Sequence, residues 1–217
     1  MKKNILIIVF FALFNGNFSF SQEVKLGFEL NPGFSWCKEN SKVFNNQFAR
    51  FAIEAGLVLE KYFTNNYAFY SGIKLVNYGF KLLFLENSTL IVNASTENIQ
   101  AGEKVNFKLQ YLNIPLGIKM KTNRIGYFSY FINLGLNPYF NIKSIALSNF
   151  FENESVSKEI NFFNISYYLS LGIEYNLVGE TNLLFGIKYN NGFFDVMNKK
   201  TSHETLNNFM FTTGIIF

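Results

Sequence analysis

The sequence predicts an all-β chain: an eight-stranded antiparallel up-and-down transmembrane β-barrel, preceded by a cleaved signal peptide. Three observations carry that prediction. Eight segments alternate apolar and polar residues with a period of two, which belongs to a strand and not to a helix. The connections between them are alternately short and long, as in a barrel threaded through a bilayer from one side. Aromatic residues make up 19% of the 217 positions and charged residues only 16%, a balance that suits a lipid-facing wall with interfacial girdles.

Residues 1–21 read as a secretory signal. Lys2 and Lys3 form its charged start, Ile5 to Phe14 its apolar stretch, and Ser19-Phe20-Ser21 place small residues before Gln22. The apolar stretch is too short for a spanning helix, and no Cys follows it to take a lipoprotein anchor. The barrel domain is then 22–217. Without Lys2 and Lys3, 17 basic residues remain against 15 acidic, about +2, so no nucleic-acid partner is implied.

The first strand sets Val24, Leu26, Phe28 and Leu30 against Lys25, Gly27, Glu29 and Asn31, and Phe34 and Trp36 continue its apolar face. The second, about Arg50 to Tyr62, opposes Phe51, Ile53, Ala55, Leu57 and Leu59 to Glu54, Gly56 and Glu60. Thr64-Asn65-Asn66 then reverse the chain tightly. The third runs from Tyr67 to about Leu83, with Ile73 and Leu75 opposite Gly72 and Lys74.

The fourth strand, Tyr111 to Lys121, has the cleanest pattern. Leu112, Ile114, Leu116, Ile118 and Met120 share one face, while Tyr111, Asn113, Pro115, Gly117 and Lys119 share the other. The fifth, about Tyr127 to Lys143, carries Phe128, Tyr130, Ile132, Leu134 and Leu136 on its apolar side. The sixth, near Phe162 to Leu177, sets Ile165 through Tyr175 against Asn164 through Glu174. The seventh opposes Leu183, Phe185, Ile187 and Tyr189 to Gly186 and Lys188, and the eighth ends the chain with Phe209, Phe211, Thr213, Ile215 and Phe217 on one face. The short connections fall near 63–66, 122–126 and 178–182, the long ones near 37–49, 84–105, 144–160 and 191–206. A barrel with both ends in the periplasm has this asymmetry, and a soluble sandwich has no reason for it.

The face opposite the apolar stripe is informative. Each strand carries a glycine there: Gly27, Gly56, Gly72, Gly117, Gly135, Gly172, Gly186 and Gly214. Such repetition points to a crowded inner wall, which is what an eight-stranded barrel has. Charges two positions from these glycines also face inward: Lys25, Glu29, Glu54, Lys74, Lys119, Glu174 and Lys188. Buried ions of both signs need partners, so the expectation is a hydrogen-bonded ion network that plugs the lumen. A tight turn at 63–66 would set Glu54 nearly opposite Lys74, and by the same reasoning Glu174 and Lys188 come within about two positions of register.

Two features depart from a plain barrel. Pro115 removes a ladder donor from a strand with two neighbours, which predicts a bulge or a missing bond. The stretch from Tyr78 to Leu85 is apolar on both faces, and either extends the barrel above the membrane or packs against the long second connection.

Candidate chemistry is sparse. His203, the one histidine, lies in a connection between Ser202 and Glu204. Adjacent residues of an extended chain point different ways, so it reads as a loop residue. Glu86, Asn87, Glu97, Glu103, Glu152 and Glu154 match no metal-loop spacing and read as solvated. Cys37, the one cysteine, reads as a thiol near the first connection and not as a nucleophile. No cofactor and no metal are expected.

The run Tyr111, Leu112, Asn113, Ile114, Pro115, Leu116 resembles the signature of the PorT-like outer-membrane β-barrel family of Bacteroidetes, in which Tyr-Leu-x-Ile-Pro-Leu marks a central strand. Similar runs at 56–75 and 171–177 and the terminal Phe217 extend the likeness over most of the mature chain. The resemblance implies a fold and a place in the cell outer membrane; the family shares no one activity. Phe217, with aromatics at alternate positions before it, resembles the C-terminal signal read by the outer-membrane assembly machinery. Partners are then outer-membrane lipid, that machinery, and a secretion or surface-assembly component of the envelope, with the barrel itself a monomer. The functional expectation is a non-catalytic structural or interaction protein. The alternatives are a lipid A-modifying barrel enzyme using His203 and a small-solute channel.

Overall fold

The computed structural model describes residues 23–39, 44–93, 95–150, 152–198 and 204–217. Its elements, in chain order, are β1 (Val24–Glu39), β2 (Phe44–Thr64), β3 (Tyr67–Phe84), β4 (Ser88–Val92), β5 (Ser95–Ile99), β6 (Lys104–Asn113), β7 (Leu116–Lys121), β8 (Phe128–Leu147), β9 (Glu154–Ser155), β10 (Phe163–Val178), β11 (Thr181–Asp195) and β12 (Glu204–Ile216). Every ladder between them is antiparallel.

Eight staves run β1, β2, β3, β6 with β7, β8, β10, β11 and β12, and β12 pairs back to β1. No stave is left with an unpaired edge, which matters because a free row of backbone donors and acceptors has no partner in hydrocarbon. The fourth stave is broken. β6 ends at Asn113 and β7 begins at Leu116, with Ile114 donating to Pro138 O at 3.2 Å. Pro115 has no N–H to give, so the ladder lapses at its position and resumes beyond it.

The wall has two faces that follow residue parity. Outward positions such as Leu26, Phe28, Leu57, Ile73, Leu116, Ile118, Leu134, Leu171, Phe185 and Phe211 are exposed. Exposed apolar surface on this scale has one stable environment, the acyl chains of a bilayer. Aromatics rim the band. Phe63, Tyr67, Tyr127, Phe128 and Tyr175 cluster at the end with the short turns, and Trp36 with Tyr189, Tyr167 with Phe193, and Phe140 with Phe163 mark the other.

The staves outrun the bilayer. β2 has 21 residues and β8 has 20, against the roughly 9 to 11 a tilted strand needs to cross. The surplus lies toward the long connections, so the one expected at 37–49 shrinks to the few residues between Glu39 and Phe44. The pairing continues because the inward positions stay apolar there and have a core to face. Tyr78, Phe80, Leu82 and Phe84 of β3 are buried in that core, together with Leu90, Val92 and Ile99 of the β4–β5 hairpin. The Tyr78–Leu85 stretch therefore does both things its composition allows: it extends the barrel and packs against the second connection. Cys37 also lies in this core, within β1 opposite Leu206 and near the strand's end at Glu39, where the first connection begins.

Candidate functional site

The lumen is the place where the chain concentrates its polar chemistry, and the inward parity of each stave decides which side chains enter it. Lys25, Glu29, Glu54, Lys74, Lys119, Glu174 and Lys188 are all buried. They sort into two groups at different depths.

The group nearer the short turns centres on Lys119 of β7, which ion-pairs with Glu60 of β2 and with Glu174 of β10. Tyr62 Oη donates to the other Glu60 oxygen at 2.8 Å. Lys121, at the rim, lies 3.9 Å from Glu174 and 4.4 Å from the centroid of the Tyr62 ring. Lys25 reaches outward to Glu23 at 2.8 Å. Glu60 was legible from its parity with Glu54, but a search confined to two positions either side of each glycine passes over it.

The deeper group joins four staves. Lys74 Nζ donates to Glu29 Oε2 at 2.6 Å and to Glu54 Oε1 at 3.0 Å. Lys188 Nζ donates to the same Glu54 oxygen at 2.8 Å, and so does Asn31 Nδ2, also at 2.8 Å. Tyr70 Oη donates to Glu29 Oε1 at 2.7 Å. Lys74 lies 5.5 Å from the Tyr70 centroid and Lys188 lies 5.1 Å from that of Tyr168, so each buried ammonium also has an aromatic face. Two carboxylates meet two ammoniums, and the group is neutral as a whole.

Between the two groups sits a belt of Val58, Phe131, Tyr168, Leu184 and Ile216. The space left beside it, lined by Glu29, Lys119, Tyr168 and Lys188, amounts to about 10 Å³, room for about one water. Above the deeper group, Asn137 Nδ2 donates to Asn190 Oδ1 at 2.6 Å, Asn190 donates on to Asn208, and the Tyr78 and Tyr139 hydroxyls meet at 3.0 Å. This amide and phenol layer separates the ions from the apolar core near the long connections.

One sequence expectation fails here. Glu174 lies opposite Leu184 and Lys188 opposite Ser170, four positions apart and not two. The turn closes early, at Val178 and Thr181, so Lys188 sits too deep to meet Glu174. It crosses the lumen to Glu54 instead, and Glu174 takes Lys119.

The eight glycines all lie at inward positions. The crowding is clearest at Gly117, where a Cβ would stand 2.1 Å from Tyr168 Oη. Phe217 is exposed, and its backbone N donates to Leu26 O at 2.7 Å, joining the last residue to the first stave. His203 and the expected signal segment 1–21 lie outside the described residues. Glu86, Asn87, Glu97 and Glu152 are exposed. Glu103 is buried, taking a bond from Gln100 N at 3.3 Å, and Glu154 accepts from Asn93. Among the described residues no three His, Cys, Asp or Glu side chains form a metal-holding group.

The connections at the far end are knit together. Ile91 N of β4 donates to Glu159 Oε1 at 2.8 Å, and Asn93 N donates to Ser155 O of β9 at 2.9 Å. Asn161 N donates to Val196 O at 2.9 Å and Asn198 N to Glu159 O at 2.7 Å. The second, third and fourth long connections thus form one cap, with Val156, Ile160, Val196 and Met197 turned into the core beneath.

Residues 14–198 match a family model described as the outer membrane protein beta-barrel domain. No curated protein matches the chain. Among solved structures, Ail, the attachment invasion locus protein of Yersinia pestis, crystallised with the heparin analogue sucrose octasulfate, is 16% identical, with 90% of this chain and 99% of that chain covered and a TM-score of 0.45. Neisserial surface protein A is 11% identical over 88% and 95% of the two chains, with a TM-score of 0.48. The outer membrane protease OmpT from Escherichia coli is 10% identical over 92% and 99%, with a TM-score of 0.49.

Proposed function

The chain belongs to the outer membrane protein beta-barrel domain family, and from that premise we propose that it is a non-catalytic outer-membrane protein, a closed barrel that mounts an interlocked cap of connections for contact with an envelope partner. The observation that carries this reading is the filled lumen. Neutral ion groups at two depths, an apolar belt between them and an apolar core above leave room for about one water beside the ions. The buried lumen carboxylates of both groups are engaged by lysines, so none stands ready as an acid or base for a substrate.

In this reading 1–21 is the cleaved export signal, both chain ends lie in the periplasm, and the cap faces outward. Three short turns and the two ends of the described chain, Glu23 and Phe217, lie at one end of the barrel and support that orientation. Phe217 is the assembly signal. The finer likeness to PorT-like barrels makes a secretion or surface-assembly component the partner class.

The test is conductance. Wild-type protein in a planar bilayer is expected to give no stable current, and a large, steady conductance overturns the plug. Mass spectrometry of lipid A from deletion and wild-type strains separates the enzymatic alternative, with unchanged lipid A as the expected outcome.

A further inference from the structure

The outer wall above the apolar band changes character on one side of the barrel only. On β3 the outward row runs Leu75, Asn77, Gly79, Lys81, and on β6 it runs Leu112, Gln110, Lys108, Asn106, Lys104. On β8, Lys143 lies opposite Gln110, and Ile145 opposite Lys108. The Arg50 side chain lies flat on this wall. Its Cδ passes 3.3 Å from where a Cβ of Gly79 would stand, and its guanidinium donates to Asn106. The missing side chain of Gly79 is what lets it lie down.

Two adjoining grooves follow. One, of about 360 Å³, is lined by Arg50, Phe51, Lys108, Gln110, Lys143 and Ile145. The other, of about 440 Å³, is lined by Lys81, Lys104, Asn106 and Leu147. Five cations thus share one face, no carboxylate lines either groove, and among the described residues none of the five forms an ion pair. This contrasts with the lumen, where buried lysines are matched to carboxylates.

We propose that this face holds the headgroup of an anionic, phosphate-bearing membrane lipid in the leaflet on the cap side. The inference rests on the bilayer placement proposed above. Beyond Leu75, Leu112 and Phe140 the wall passes from apolar to polar and cationic: the next outward positions are Asn77, Gln110 and Lys143, and Lys108 follows opposite Gly79. Acyl chains lie against the first and phosphates against the second, the order in which a lipid presents them. Arg50 supplies a planar fork for phosphate oxygens, and the lysines supply point charges around it.

The experiment uses the mature protein, 22–217, in nanodiscs of phosphatidylcholine carrying bisphosphorylated or dephosphorylated lipid A, with bound lipid counted by native mass spectrometry. The wild type is expected to keep the bisphosphorylated lipid and not the dephosphorylated one. Lys104→Ala/Lys108→Ala/Lys143→Ala is expected to bind it roughly a hundredfold more weakly, at about fivefold per surface cation, while Lys61→Ala/Lys158→Ala keeps wild-type retention. Equal retention of both lipids, or a triple variant that binds as the wild type does, overturns the proposal. So does displacement of the lipid by inorganic phosphate or by a soluble sulfated polysaccharide, which would make the face a general polyanion site. Insertion is read separately, by flotation with vesicles and by heat-dependent mobility in gels. A wild type that fails to insert overturns the membrane reading, and an inserted wild type without lipid selectivity overturns only this inference.

Discussion

At the residue scale, Glu54 is the side chain on which the deeper ion group depends. One of its oxygens takes donors from Lys74, Lys188 and Asn31, which come from three different staves. Losing that carboxylate leaves Lys188, among the described residues, with no carboxylate to which it donates and Lys74 with Glu29 alone. A buried charge stripped of its partner costs about 3 to 5 kcal/mol, so Glu54→Gln should lower the unfolding free energy in urea titrations of the vesicle-embedded protein by about that amount. Glu54→Gln/Lys188→Gln should be milder than the sum of the two single changes, because the second removes the charge that the first strands. Additive effects from a nearly neutral Glu54→Gln would mean that the ions are hydrated and not bound to one another.

At the scale of elements, the cap and the staves are separate constructions. The β4–β5 hairpin pairs only with itself, and it is tied to the barrel by Leu90, Val92 and Ile99 and by a few bonds to the third connection. Leu90→Asp puts a charge into an apolar core with no cation to meet it. Protease cleavage within 85–103 should then rise at least about tenfold, while planar-bilayer conductance stays as low as in the wild type because the ion groups lie below. A conducting Leu90→Asp variant would show that the cap, and not the ions, closes the barrel. The same division explains what the sequence made legible. Facing is local, since a period of two decides it residue by residue, and the staves, the eight inward glycines and the inward charges could be read that way. Pairing across the lumen is not local. Lys188 and Glu54 are 134 residues apart, and their meeting depends on where the turn at Val178 and Thr181 closes. The cap was hidden for another reason: Leu90, Val92, Ile99, Val156, Ile160, Val196 and Met197 are scattered through runs of Asn, Ser and Glu, with no period to mark them.

For the whole molecule, the question is how high the bilayer stands on the wall. On β8 the outward aromatics Phe128 and Phe140 are twelve residues apart, about 40 Å along the strand and about 30 Å along the axis at a tilt of about 40°. That is the thickness of the hydrocarbon core, so the two aromatic girdles mark its boundaries and the surplus wall beyond them stands first among headgroups and then in water. The cap core fills that surplus, which is why strands long enough to cross the bilayer about twice do not expose an apolar lumen to solvent. The chain carries a single tryptophan, Trp36, set outward on β1 with its ring 6.3 Å from that of Tyr189 in the girdle on the cap side. Its fluorescence therefore reports one known height. In vesicles of brominated phosphatidylcholine, bromines near the headgroup should quench Trp36 more than bromines near the chain ends, because an indole at a girdle lies at the interface. The reverse order would move the bilayer up the wall, bury the cations of β3, β6 and β8 in hydrocarbon, and leave the short-turn aromatics in water. A barrel with five cations at that height, none of them ion-paired among the described residues, could not be held in the membrane, since each would cost about 2 to 4 kcal/mol at the midplane.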